Sequence, residues 1–175
     1  MRLLIINPNT THALTHKIES LAQSFLGYST KITTVSGRFG PRYIASRATF
    51  AIACHATIDA YAEHGTDSDC VLLACFGDPG LEALREVCPG PVIGLIDASA
   101  NGLIGMADKI SMIRSYPVIC SVMAGLRAVK AISETNPRKI HLPNLQRVET
   151  IGLSKSLAEL LLQEEFSIKG DSYDL

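Results

Sequence analysis

The chain has no surplus of either charge: 16 Lys and Arg stand against 17 Asp and Glu, for a net charge of −1. Without a basic patch or stripe, neither nucleic acid nor an anionic membrane surface is an expected partner. No apolar run approaches the roughly 20 residues of a membrane-spanning helix. The opening Met1-Arg2-Leu3-Leu4-Ile5-Ile6 is too short for the apolar core of a secretory signal. Glycine-rich nucleotide signatures are missing as well. Neither G-x-G-x-x-G nor a phosphate loop follows the first apolar run, which argues against a dinucleotide enzyme or an NTPase. Five cysteines form an odd count in no framework spacing, which suits a reducing cytoplasm better than secretion. There is no internal repeat and no low-complexity segment. What is there is 175 residues, 47% of them hydrophobic, enough to bury the core of one domain or at most two small ones. A soluble, cytoplasmic globular protein is expected.

Leu3 to Ile6 is a continuous apolar run, the mark of a strand covered on both faces. Asn7-Pro8-Asn9-Thr10 breaks it, with Asn9 or Thr10 available to cap a helix whose inner face carries Leu14, Ile18, Leu21, Ala22 and Phe25 and which Gly27 ends. Ile32 to Val35 predicts a second strand, and a loop with Arg38 and two glycines follows. A helix from about Ala48 to His64 stops at Gly65. Val71 to Ala74 predicts the third strand, a short helix with Leu81 and Leu84 inside comes next, and Val92 to Ile96 predicts a fourth strand. Such alternation implies right-handed crossovers and a parallel, doubly wound α/β sheet. In the flavodoxin-like order the first and third strands are neighbours. The Asn7–Thr10 loop then lies beside the Cys75–Gly80 loop, at the carboxyl edge where ligands bind. Further on, Ala98–Met106 and Ala124–Ile132 suggest helices, Lys109–Ile113 and Tyr116–Cys120 strands, and Val148–Leu162 a last helix with Ile151, Leu157, Ala158 and Leu161 inside.

Cys75 is the centre of the functional reading. Asp78 and Pro79 supply an N-cap and a first helical position just after it, so the thiol is expected between the end of a buried strand and the start of a helix. The helix dipole there would lower the thiol pKa and make Cys75 a nucleophile or proton-transfer base, the alternative being a buried structural cysteine. Asn7, Asn9 and Thr10 form either a turn with a cap or a set of polar groups holding a carboxylate or ring carbonyl beside Cys75. Arg38 and Arg42 are either surface charge or a means of steering an anionic substrate.

Other constellations are weak. His12 and His16 share a helical face but lack a third ligand, so no metal is expected. Cys70 and Cys75, five apart on an expected single strand, would point to opposite faces and make a poor metal pair or disulfide. Cys54, His55 and Cys88 read as packing or surface residues. Asp97 and Asp108 lack a carboxylate partner for glycosidase-type work.

Three strings in combination carry a family resemblance: Ile6-Asn7-Pro8-Asn9-Thr10, Gly40-Pro41, and Ala74-Cys75-Phe76-Gly77-Asp78-Pro79-Gly80. With Pro91-Val92-Ile93-Gly94 they resemble the aspartate/glutamate/hydantoin racemase superfamily, in particular its hydantoin and allantoin racemase branch. The agreement runs from Met1 to about Ile113. The resemblance implies two pseudo-symmetric α/β domains with the site in the cleft between them. It also implies cofactor-independent chemistry, in which one cysteine removes the proton α to a carbonyl and a second, on the opposite face, delivers one. Cys75 matches the first cysteine; Asn7, Asn9 and Thr10 match the first substrate loop, and Phe76 and Gly77 the residues after the cysteine. The chain is shorter than the family pattern, and the Gly-Cys-x-Gly string of the second cysteine is absent. Cys120, followed by Ser121-Val122-Met123-Ala124-Gly125, is the candidate for it.

The organisation expected is therefore a first α/β domain over 1–97 carrying Cys75, a reduced second α/β lobe over 98–145, and a C-terminal helix over 146–175 that returns to the first domain and ends in a polar tail. The function expected is a racemase or isomerase acting on a hydantoin, allantoin or amino-acid-like small molecule, without cofactor. A decarboxylase or cis–trans isomerase using one cysteine, and a catalytically silent ligand-binding relative, are the alternatives. Apolar surface left by a short second half is expected to be covered by another copy, giving a homo-oligomer.

Overall fold

The computed structural model of the protein describes residues 1–99, 121–135 and 150–162. Its order is β1 (Arg2–Asn7), α1 (His12–Leu26), β2 (Lys31–Ser36), α2 (Arg47–His64), β3 (Cys70–Leu73), α3 (Leu81–Val87), β4 (Val92–Gly94), a helical stretch over 95–99 (α4), α5 (Ser121–Thr135) and α6 (Lys155–Leu162). The four strands form one sheet in the order β2-β1-β3-β4, and every pairing is parallel. The expected α/β doubly wound sheet is therefore present, with β1 and β3 side by side. The strands expected over Lys109–Ile113 and Tyr116–Cys120, most of the helix expected over Ala98–Met106, the polar tail, and both Asp108 and Cys120 lie outside the described residues.

Alternating residues of the inner strands feed two cores. Leu4, Ile6, Val71, Leu73 and Val92 face α2, α3 and α6, while Leu3, Ile5, Cys70, Leu72 and Ile93 face α1, α4 and α5. Leu3 to Ile6 are each no more than 1% exposed, so each contributes about 1.5–3 kcal/mol of apolar burial. A run that is apolar on both pleats has no solvent face, which is why it takes the middle of the sheet.

Local side chains cap the starts of α2 and α6. Ser46 caps α2 in a reciprocal box with Thr49: the Ser46 hydroxyl accepts from the Thr49 amide and the Thr49 hydroxyl from the Ser46 amide. In α6, the Ser154 hydroxyl accepts from the Leu157 amide, and Leu157 and Leu160 pack into the core beneath α2.

Several local expectations are corrected. Leu14 and Leu21 of α1 are 41% and 47% exposed; the buried stripe is Thr15, Ile18 and Ala22. Ile18 and Ala22 pack into the core on this face, and the Thr15 hydroxyl beside them accepts from Asn7 Nδ2 at 2.9 Å. Helix α1 is capped by neither Asn9 nor Thr10: its N-cap is Thr11, whose side chain makes no capping bond. Asn9 instead accepts from the Thr11 amide at 2.9 Å, an Asx turn. The fourth strand ends at Gly94, and Leu95 and Ile96 already belong to α4. The last helix starts at Lys155, leaving Ile151 fully outside.

Candidate functional site at the carboxyl edge of the sheet

The backbone amide of Ala74 donates to Ile6 O at 2.8 Å, so β1 and β3 remain paired up to the loops that carry Asn7 and Cys75. These loops open on the same edge, at the point where the chain leaves for opposite faces of the sheet, the usual ligand position in such folds. The loop after β2 joins them. Gly37 N donates to both Asn7 O and Asn9 O, Thr10 N donates to Pro41 O, and Thr11 Oγ1 donates to Arg42 O. A Cβ on Gly37 would stand 2.9 Å from Pro8 O, so only glycine admits this approach.

The two asparagines are turned largely inward. Asn7 is fully buried, and its amide donates to Asn9 Oδ1 at 3.0 Å and to Thr15. Asn9 is 7% exposed, its Oδ1 taken by Asn7 and Thr11. Of the two alternatives in the sequence, the hydrogen bonds show the polar turn: the carboxamides stiffen the loop, while Thr10 lies half-buried at its tip. Arg38 is committed to the fold. Its guanidinium donates to both carboxylate oxygens of Asp59, which is 2% exposed, at 3.1–3.3 Å, and Ser154 Oγ hydrogen-bonds the same carboxylate. Arg42 is exposed.

Cys75 lies two residues past the end of β3 and is half-buried, its thiol directed to Phe76 O at 3.8 Å. The expected lowering of its pKa is not what the surroundings produce. Burial, and then the negative charge of Asp78, push the thiol up to about 11. The reason is that Asp78 and Pro79 do not start the helix. Asp78 has a left-handed backbone, φ 48°, and α3 begins only at Leu81, after Gly80 in the N-cap place with φ 81°. The Asp78 carboxylate reaches across to another element. It accepts from the amides of Leu95 at 2.6 Å, Ile96 at 2.9 Å and Asp97 at 3.2 Å, capping α4 from 17–19 residues away.

This cap was not legible locally, but it has a signature in Gly94. A Cβ there would stand 2.5 Å from the Asp78 carboxyl carbon. The rest of the Cys75 loop is seated on α2: Thr57 Oγ1 donates to Pro79 O at 2.9 Å, and a Cβ on Gly80 would stand 3.0 Å from Cys54 O. Phe76, 70% exposed, and Phe50 of α2, which lies near Gly77, give the rim an apolar character. Among the described residues no group of three or more metal-ligating side chains converges, and His12 and His16 are exposed on α1.

The sequence profile of the Asp/Glu/Hydantoin racemase family matches residues 3–164. The chain belongs to that family. Among its curated relatives, the hydantoin racemase of Paenarthrobacter aurescens is 33% identical over 148 residues, covering 83% of this chain and 62% of that protein. The hydantoin racemase of Pseudomonas sp. (strain NS671) is 35% identical over 129 residues, 72% of this chain and 51% of that protein. The chain thus spans between half and two thirds of these racemases' length. In fold, this family member is similar to the allantoin racemase from Klebsiella pneumoniae, with a TM-score of 0.66 at 21% identity over 86% of this chain and 96% of that one. It is also similar to the allantoin racemase from Pseudomonas fluorescens, with a TM-score of 0.58 at 21% identity over 80% of this chain and 58% of that one. Among the described residues no helix is long and apolar enough to cross a membrane.

Proposed function

We propose that this chain acts as a cofactor-independent racemase in which Cys75 exchanges the proton on the carbon α to a carbonyl of a hydantoin, allantoin or amino-acid-like substrate. The observation that carries the reading is the partly exposed sulfur of Cys75 at the carboxyl edge between β1 and β3, in a chain of the racemase family. In the reaction one cysteine, as thiolate, takes the α-proton and leaves an enolate. A protonated group on the opposite face returns a proton to carbon, and the configuration inverts. Cys120 is the proposed second group. Asn9, Thr10, Phe76 and Gly77 are proposed to line the substrate, with Asn7 holding the loop in shape.

With its thiol at about 11, Cys75 is protonated at neutral pH, ready to deliver a proton. In the opposite direction, where it must act as base, the reactive thiolate is about one part in ten thousand at pH 7. Exchange in that direction is expected to rise about tenfold per pH unit before levelling toward 11. Optical rotation and solvent deuterium uptake over a panel of hydantoins test the function. Cys75→Ala is expected to lower both by about 10²–10⁴-fold. Deuterium uptake that survives this substitution removes Cys75 from the role. Loss of uptake in Cys120→Ala supports the two-cysteine form.

A further inference from the structure

The Cys75 turn is held by something other than its own neighbours. From the position of its carboxylate, we infer that Asp78 is the positioning residue of Cys75: it ties the turn that carries the thiol to the first amides of α4 and presents a fixed negative charge to the sulfur. This deepens the racemase reading and rests on it for its catalytic meaning.

Three observations carry it. First, the carboxylate holds three successive amides, Leu95, Ile96 and Asp97, on an element 17–19 residues away. Second, the backbone of Asp78 adopts φ 48°, a conformation a non-glycine side chain pays for, and its amide closes back on Cys75 O at 3.1 Å. Third, the volume a side chain would need at residue 94 is vacated for this carboxylate. The other groups around the turn do not replace it. Asp97, at the head of α4, is paired with Arg85 of α3, and Cys54 of α2 lies against the Gly80 backbone. Among the described residues, Asp78 is the ionisable group whose charge acts on the Cys75 thiol. A fixed anion here keeps the thiol in its proton-donating form and, by anchoring the turn, fixes the direction in which that proton is offered.

The test needs no substrate. Alkylation by iodoacetamide is followed against pH, with peptide mass spectrometry separating Cys75 from Cys54, Cys70, Cys88 and Cys120. Asp78→Asn is expected to move the Cys75 profile to lower pH and to raise its rate at pH 8 at least about threefold, a change of half a pKa unit or more. Asp78→Glu, which keeps the charge, is expected to restore most of the wild-type profile. A profile unmoved in Asp78→Asn, with only the melting temperature lowered, overturns the proposal and leaves Asp78 a structural cap. Should the variants fail to fold, the wild-type protein answers by NMR. The Cys75 ¹³Cβ resonance is expected to show a step in the acidic range, where Asp78 protonates and the thiol does not, and a flat line there overturns the inference. Because both readouts are substrate-free, their failure is distinct from a failure of the hydantoin exchange test, which speaks to the racemase reading alone.

Discussion

Removing the guanidinium of Arg38 strands a carboxylate. Asp59 is 2% exposed, in the second half of α2, and its two oxygens are held by Arg38 through contacts of 3.1–3.3 Å and by the Ser154 hydroxyl. In Arg38→Ala the hydroxyl is left as the remaining named partner of a charge with little access to water. Breaking a fully buried pair costs about 3–5 kcal/mol, whereas an exposed pair is worth about 0–1 kcal/mol. The Arg38 side chain is 58% exposed while that of Asp59 is 2%, so the cost falls between these limits, at about 2 kcal/mol. For a chain of this size that is a fall in melting temperature of about 4–8 °C. Urea unfolding followed by circular dichroism supplies the free energy directly. Asp59→Asn in the Arg38→Ala background is expected to recover part of the loss, because the uncompensated charge is then gone. A change below about 0.5 kcal/mol in Arg38→Ala, or strict additivity in the double mutant, would refute the view that this pair binds the loop after β2 to the helices behind it.

Two other consequences can be measured alongside. Gly94→Ala is expected to destabilise by about 2–3 kcal/mol, because the new methyl displaces the Asp78 carboxylate from charge-assisted bonds. The same substitution in an Asp78→Ala background is expected to cost much less, and equal costs in both would show that the carboxylate is not what glycine makes room for. Stability is also expected to fall in alkali. Burial raises the Tyr61 phenol, the Cys70 thiol to about 12 and the Cys75 thiol to about 11. Above about pH 9 the unfolded thiols therefore release protons that the folded ones keep, and the contribution present below pH 9 is lost as pH climbs through 11–12. Urea midpoints constant from pH 8 to 10.5 would contradict this.

What could be read from the sequence was what depends on neighbours in the chain. Leu3–Ile6 and Val71–Leu73 are apolar on consecutive residues, and such runs have no stable place except inside a covered sheet. Gly65 ends α2 directly after His64. The rest depended on distant partners. Asp78-Pro79 has the composition of a helix start, yet its carboxylate serves amides far down the chain, and no local pattern contains that. Leu95-Ile96 continues the apolar run of β4 but turns helical where that cap sits. Likewise the polar Thr15 is buried on the inner face of α1, where its hydroxyl accepts from Asn7 eight residues away. The Cys75 position followed from strand and loop lengths, but its acidity did not, because burial and Asp78 act through space.

Strand β1, one of the two interior strands of this sheet, precedes both of its partners in the chain, and its two sides are matched at very different times. Leu3 pairs with Ile32 on one side and with Cys70 on the other. At about 5–20 residues per second, the roughly thirty-five residues from the end of β2 to the start of β3 take about 2–7 s to emerge. Through that interval one margin of β1, apolar on both pleats, stands open to any strand that finds it. The chain's exposure to mispairing is thus set by the order of its strands, and it ends only when Val71–Leu73 arrives to close the gap.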